Sequence, residues 1–287
     1  MYFQRKILNH LFTAFILFSL TIIFISQTYA KLLITPTRVE FSDRERSAKV
    51  SLVNTGKKIT TYKVFWREQY QDEDGQYIPF KIGERDFPTA SKMLRYSPRQ
   101  VTLKPGERQH IRLALRRPKD LDEGEYRSHL VFQAQPDKNK MAKSKGIQLH
   151  MNLAFAIPVI VREGEIDVKS AISKVDLIKR QHNGKIYTGA YIDIERQGKF
   201  STFANMKVYW RGISKQTEKL IATQENIAVY PENNIKHLVL GFKNHTTSPG
   251  VMRIVYEGAE EFEGQILAEK TITVNKSTYR LEENYKK

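Results

Sequence analysis

The sequence predicts an all-β fold built as two tandem immunoglobulin-like β-sandwiches. Three observations carry this. Strand-length runs with period-2 alternation recur along the chain, turn residues separate them, and no apolar repeat of helical spacing runs far enough to make an amphipathic helix. Composition agrees: 14 Tyr, 15 Phe and 40% hydrophobic residues are enough to build real cores and exclude global disorder. At roughly 150 residues per domain, a chain of 287 residues holds about two.

The first segment stands outside this fold. Arg5 and Lys6 precede an almost unbroken apolar run from Leu11 through Ile25, which ends at Thr28-Tyr29-Ala30. A short basic stretch, an apolar run and a small-x-small ending are the parts of a secretory signal peptide, so residues 1–30 are read as one and cut at Ala30. An uncleaved membrane anchor is the rival reading, because the run approaches the ~20 residues that span a bilayer. Removing the segment takes away two bases and no acid, so the exported chain stays strongly basic. The chain has no cysteine, which excludes disulfides, a thiol nucleophile and Cys-ligated metal; stability must come from cores.

After Ala30 the strand signals follow closely. Leu32 to Phe41 is a first strand, with Pro36 inside it demanding an edge position or a bulge. Ala48 to Val53 alternates and runs into Asn54-Thr55-Gly56. Ile59 to Trp66 puts Tyr62, Val64 and Trp66 on one face. Gln71 to Gly75 reads as a solvated loop. Leu94 to Leu103 leads through the turn Lys104-Pro105-Gly106-Glu107 into Gln109–Leu115, and Tyr126 to Ala134 is the next strand. Asp137 to Gly146 carries four lysines and no strand former, so it is expected to be a mobile loop. Ile147 to Val161 follows. About seven short strands in residues 31–163 suit one immunoglobulin-type sandwich. Glu163-Gly164-Glu165 marks a boundary, and residues 164–275 form a second strand-rich block that includes Tyr187–Ile194, Met206–Trp210, His237–Phe242, Val251–Tyr256 and Gln265–Val274. Residues 276–287 are polar and expected to fray.

Little here points to chemistry. The chain lacks the G-x-S-x-G, H-E-x-x-H, Walker and dinucleotide-binding patterns. His110, His129 and His150 fall on strands and are read as separate polar positions, with no metal site and no cofactor expected; no enzyme is expected either. The formal charge of +16 is spread over many strands without a stacking platform, which argues against nucleic acid.

One segment asks for a partner. Ile147, Leu149, Met151, Leu153, Phe155 and Ile157 occupy every second position, which puts six large apolar side chains on one face of one strand. A core strand is the plain reading. The run is, however, longer than the usual five or six residues and follows a lysine-rich loop, which suits a strand that projects and is lent to another protein's sheet. Burying four such side chains is worth about 6–12 kcal/mol before ordering costs.

These residues resemble the periplasmic chaperones of the chaperone–usher pathway, the PapD-like family. Thr37-Arg38-Val39-Glu40-Phe41 is similar to the family's first strand with its cleft arginine. Tyr96 to Glu107, with Ile111-Arg112-Leu113, is similar to its proline and Leu-x-Pro-Gly signature. Ile147 to Arg162 is similar to its donor strand and junction arginine, and Trp66 stands where members often have tryptophan. The resemblance covers most of residues 31–163 and implies two immunoglobulin-like domains in a boomerang. It also implies pilus or fimbrial subunits and an outer-membrane usher as partners, a periplasmic location, ATP-independent capture by donor-strand complementation, and room for a self-capping oligomer. It assigns the donor strand to Ile147, Leu149, Met151 and Leu153, the carboxylate anchor to Arg38, and the interdomain contact to Glu125, Arg162 and an acid such as Glu261. One departure stands out: the family's second cleft lysine aligns with Pro158, so either Arg127 or Arg112 replaces it or the anchor rests mainly on Arg38. An exported β-sandwich adhesin or polyanion-binding module, acting through the basic surface, is the alternative reading.

Overall fold

The computed structural model describes residues 32–42, 45–136, 153–182, 184–245 and 247–282. The export segment, the whole lysine-rich loop Asp137–Gly146 and Ile147, Leu149, His150 and Met151 lie outside them. Among the described residues the first sandwich holds eleven strands: β1 (Leu33–Thr35), β2 (Val39–Phe41), β3 (Ser47–Val53), β4 (Thr60–Arg67), β5 (Gln69–Gln71), β6 (Tyr77–Pro79), β7 (Leu94–Ser97), β8 (Gln100–Leu103), β9 (Arg108–Leu115), β10 (Gly124–Ala134) and β11 (Ala154–Glu163). One sheet runs β1-β3-β9-β7 and the facing one β2-β11-β10-β4-β8, with β5 and β6 as a separate hairpin. The second sandwich comprises β12 (Val168–His182), β13 (Lys185–Gly198), β14 (Thr202–Gly212), β15 (Lys219–Val229), β16 (Ile235–Gly241), β17 (Gly250–Gly258), β18 (Ile266–Val274) and β19 (Arg280–Leu281). Its sheets run β16-β13-β12-β19 and β15-β14-β17-β18.

Two expected strands are each split by a proline. Leu32–Phe41 becomes β1, which pairs with β3, and β2, which pairs parallel with β11 in the opposite sheet. Leu94–Leu103 likewise becomes β7 against β9 and β8 against β4. Pro36 and Pro98 cannot donate to a ladder, so the chain leaves one sheet at each and enters the other. Gly164, at φ +92°, turns the chain out of β11 in a conformation that L side chains avoid.

Each sandwich encloses its own core. The first is built around Phe41, Leu52, Tyr62, Leu130, Phe132, Val159 and Val161; the second around Ile192, Ile194, Met206, Val208, Met252 and Tyr256. A third cluster joins them: Ile160 from β11 packs with Phe203, Ala228, Tyr230 and Phe262 of the second sandwich. The same strand thus serves two cores through alternate residues.

Two expectations are corrected. Gln71 to Gly75, although exposed at Glu73 and Asp74, is not a free loop but the tip of the β5–β6 hairpin, which reaches the second sandwich. Lys236 Nζ donates to Gln71 Oε1 at 2.8 Å, Asn233 donates to the Gln71 carbonyl at 2.7 Å, and the His237 amide donates to the Glu73 carbonyl at 2.8 Å. Residues 276–282 do not fray either. An Asn275 capping box leads into β19, beside β12, and Tyr279 is buried with its hydroxyl 2.7 Å from His245 Nε2. Tyr279→Ala should therefore lower stability by about 3–5 kcal/mol, as other aromatic-to-alanine core changes do. Tyr279→Phe should cost about 1 kcal/mol, one hydrogen bond, and denaturant unfolding of the pair distinguishes packing from bonding.

Candidate functional site

The site lies where the outer face of the β2-β11-β10 sheet meets the second sandwich. Strand alternation sends Val159 and Val161 into the first core and Pro158, Ile160 and Arg162 the other way. On β10 the residues directly opposite these three are His129, Arg127 and Glu125, and on β2 Glu40 lies opposite Ile160. A polar stripe is thereby carried on the face that meets the second sandwich.

Arg162 is its centre. Buried to 2% exposure, it meets Glu125 at 3.1 Å, Glu40 at 2.8 Å and Glu261 at 2.8 Å, and donates to the Ser201 hydroxyl at 3.1 Å. Ser201 in turn donates its amide and hydroxyl to Glu125 at 2.9 and 2.7 Å. The structure thus brings Glu125, Arg162 and Glu261 together; Glu40 and Ser201 complete the group and were not singled out in the sequence. Arg38 joins it as well. Its Nη1 and Nη2 donate to the two oxygens of Glu261 at 2.8 and 2.9 Å, and Nη2 lies 3.0 Å from Glu40. The Phe203 ring lies 4.6 Å from the guanidinium carbon. Arg38 therefore contributes to the junction between the sandwiches.

Three carboxylates face two guanidiniums here. Burial, with the charges of Glu261 and Glu125 adding to it, pushes Glu40 up to about 7 against the pull of Arg162 and Arg38. Glu261 goes the other way. Burial opposes its charge, but the Arg38 hydrogen bond and both guanidiniums hold it below the ordinary carboxylate value.

The replacement cations do not reach the cleft. Arg127 is buried, ion-paired with Glu232 and stacked 3.5 Å from the Tyr230 ring, so it is a second bolt between the sandwiches. Its burial requires a partner, and Glu232 supplies it. Arg112 is exposed on β9, in the other sheet. His129 sits beside Arg127 with neither ring nitrogen hydrogen-bonded; burial first, then Arg127 and Arg67, push it down to about 3, so it is a neutral ring against Tyr77. His110 is exposed on β9, and among the described residues no group of three potential ligands could hold a metal.

A cleft of about 1050 Å3 opens beside this network, and Thr37, Arg38, Pro158, Phe203, Tyr77 and Tyr230 are among its walls. Next to it, among the described residues, the start of β11 is half free. β10 pairs one edge of Ala154–Glu163, whereas β2 pairs the other only at Val159–Val161. Burial rises along one face: Leu153 is 45% exposed, Phe155 partly buried and Ile157 4% exposed. Leu153 is the one donor-strand candidate among the described residues.

Residues 31–166 match the family described as pili and flagellar-assembly chaperone, PapD N-terminal domain. That stretch carries the N-terminal domain of these chaperones. Solved structures of similar shape include the YadV chaperone, with 12% identity over 85% of this chain and 100% of that one at a TM-score of 0.45. They also include the class 5 fimbriae chaperone CfaA, with 16% identity over 85% and 98% at 0.42. A third is Salmonella enterica SafA pilin in complex with the SafB chaperone, with 12% identity over 87% and 99% at 0.42. No curated protein matches the chain in sequence. Among the described residues no helix is long and apolar enough to cross a membrane.

The Glu40 carboxyl gives the protein a defined pH response. Its folded value of about 7 lies above the ordinary 4.5, so between these values the folded state keeps a proton that the unfolded chain has lost. Stability from this residue is present below pH 4.5 and declines as pH rises through 7. His129 and His245, depressed to about 3 and about 4 from 6.5, act in the opposite sense below pH 6.5, so the comparison must be with a variant. Denaturant unfolding should show Glu40→Gln gaining on wild type between pH 5 and pH 8. A constant difference between the two would assign Glu40 an unshifted carboxyl.

Proposed function

We propose that this protein is a periplasmic chaperone that binds pilus or fimbrial subunits by donor-strand complementation and delivers them to an outer-membrane usher. Residues 1–30 export it, residues 31–163 carry the donor strand, and residues 164–275 form the second wall of the cleft. The half-free start of β11 carries this reading. Leu153, Phe155 and Ile157 share a face whose exposure grows toward the strand's beginning, and one backbone edge there has no strand partner among the described residues. Continued back through Met151, Leu149 and Ile147, the same alternation extends an apolar row beyond the first core. A subunit lacking its last strand exposes a hydrophobic groove and unpaired edge groups, both aggregation hazards. Those side chains fill the groove while the backbone completes the sheet, so the free energy comes from the lent strand and ATP is not needed. The edge that accepts a subunit can also accept a second copy of the chaperone, which gives a self-capped resting form.

Arg38 is the anchor for the subunit's terminal carboxylate in this scheme. It borders the cleft beside the strand edge, and its guanidinium is presented for two parallel bonds to a carboxylate. Pro158 supplies neither charge nor donor, and the buried Arg127 is committed to Glu232.

Face-specific substitution tests the mechanism. Replacing Leu149 and Met151 together by Asp should abolish recovery of a co-expressed subunit from the periplasm, because two charges would enter an apolar groove unpaired. The same change at Gln148 and His150 should be tolerated. Thermal melts accompany both. A folded Leu149/Met151 variant that still protects its subunit overturns strand donation, and one that unfolds identifies a core strand instead.

A further inference from the structure

The Arg38 fork is already full. Its two terminal nitrogens meet both oxygens of Glu261, and its other acidic contact is Glu40. Yet the residue borders the cleft with Thr37 and Pro158, beside the edge of β11 that has no strand partner among the described residues. An incoming carboxylate at that edge meets an acid of the chaperone in its place.

The surroundings of Glu261 suit an exchange. Its Oε1 also lies 2.8 Å from Arg162, so a Glu261 that gives up Arg38 keeps a cation and does not become an uncompensated buried charge. Arg38 for its part stays aimed by the Phe203 ring and by Glu40. Glu40, Glu125 and Arg162 sit on strands held by ladder bonds. Glu261 sits on a three-residue 3-10 turn, Glu260–Phe262, entered at a positive φ of 54° at Glu260 and outside any ladder. Such a short connection is the least costly part of the network to move.

We infer that Glu261 is an internal stand-in for the carboxylate that the cleft captures. In the free chaperone it fills the Arg38 fork; a bound subunit exchanges its C-terminal main-chain carboxylate for it, and Glu261 remains on Arg162. This rests on the reading of Arg38 as the carboxylate anchor. The consequence is a filter. An intramolecular carboxylate competes at high effective concentration, so a small free anion or a stray acidic side chain does not displace it. A subunit does, because pairing along β11 carries its terminus to the same place. Capture then requires both a strand and a chain end. The exchange brings a fourth carboxylate to Arg38 and Arg162, beside Glu40, Glu125 and Glu261. Glu40, whose charged form burial already disfavours, is the group that takes up a proton.

The test uses an alternating valine–threonine hexapeptide ending in phenylalanine, as the free acid and as the C-terminal amide, titrated calorimetrically into protein purified from the periplasm. Glu261→Gln should raise the preference for acid over amide at least tenfold above wild type. Arg38→Ala, alone or with Glu261→Gln, should bind both peptides equally. If the Arg38 variants keep a preference for the acid, the anchor reading fails. If they lose it while Glu261→Gln leaves the wild-type ratio unchanged, the anchor stands and the stand-in is overturned. Failure of both peptides to bind wild type and Glu261→Gln overturns both. Should Glu261→Gln not fold, the carboxyl carbon resonance of Glu261 in wild type decides: it should move with the acid peptide and not with the amide, and an unmoved signal overturns the exchange.

Discussion

The guanidinium of Arg162, sealed between two sandwiches and opposed by Glu125, Glu40 and Glu261, is the contact on which the rest of the structure depends. A charge this deeply buried is tolerated only where its donors are met, and removing one partner of such a group typically costs about 3–5 kcal/mol. The partners come from β2, β10, the 3-10 turn after β17 and Ser201, the residue just before β14. Bringing them together fixes how the second sandwich sits on the first. The Arg127–Glu232 pair and the β5–β6 hairpin hold the same junction from the other side.

That geometry follows from the two faces of β11. Its odd-numbered residues, Ile157, Val159 and Val161, complete the first core, and Ile160 and Arg162 face the second sandwich. Neither set can slip by one position without burying a charge in a core or an aliphatic side chain in the ionic network. The strand is therefore held in register at its end. Toward its beginning, β2 has ended as a neighbour and the same face emerges from the core through Phe155 to Leu153. Rigidity at one end and exposure at the other are what a lent strand needs, because a strand fixed before binding loses less freedom when it binds.

Arg38 shows how the network and the cleft share residues. A guanidinium left bare at the cleft wall would be half-desolvated without a partner. Glu261 supplies that partner at 2.8 Å and, through Arg162, links the state of the cleft to the contact between the sandwiches. Glu40, the third acid and pushed up to about 7, makes the cluster sensitive to protons in the range where a carboxyl is ordinarily silent.

Much of this was legible in local sequence. Alternation through Leu153, Phe155 and Ile157 marks the beginning of β11, and Thr37-Arg38-Val39-Glu40-Phe41 places Arg38 and Glu40 two residues apart, hence on one face of an extended segment. The long strands β12 and β15 were harder to read. Their runs, such as Lys219-Leu220-Ile221-Ala222-Thr223-Gln224, carry polar residues through β-bulges that break the period. By itself the sequence determined the all-β class, the two-part plan and the apolar row before β11, because each depends on neighbours in the chain or on strand periodicity; the contact of Glu125 with Arg162 was expected only from the resemblance to the PapD-like family. Only the tertiary structure decided that Pro36 and Pro98 pass the chain between sheets, that the Gln71–Gly75 segment clasps the second sandwich, that Arg127 belongs to Glu232, and that Arg38 is held by Glu261, 223 residues away. No local pattern encodes a contact of that separation; it exists only once two independently packed cores have met.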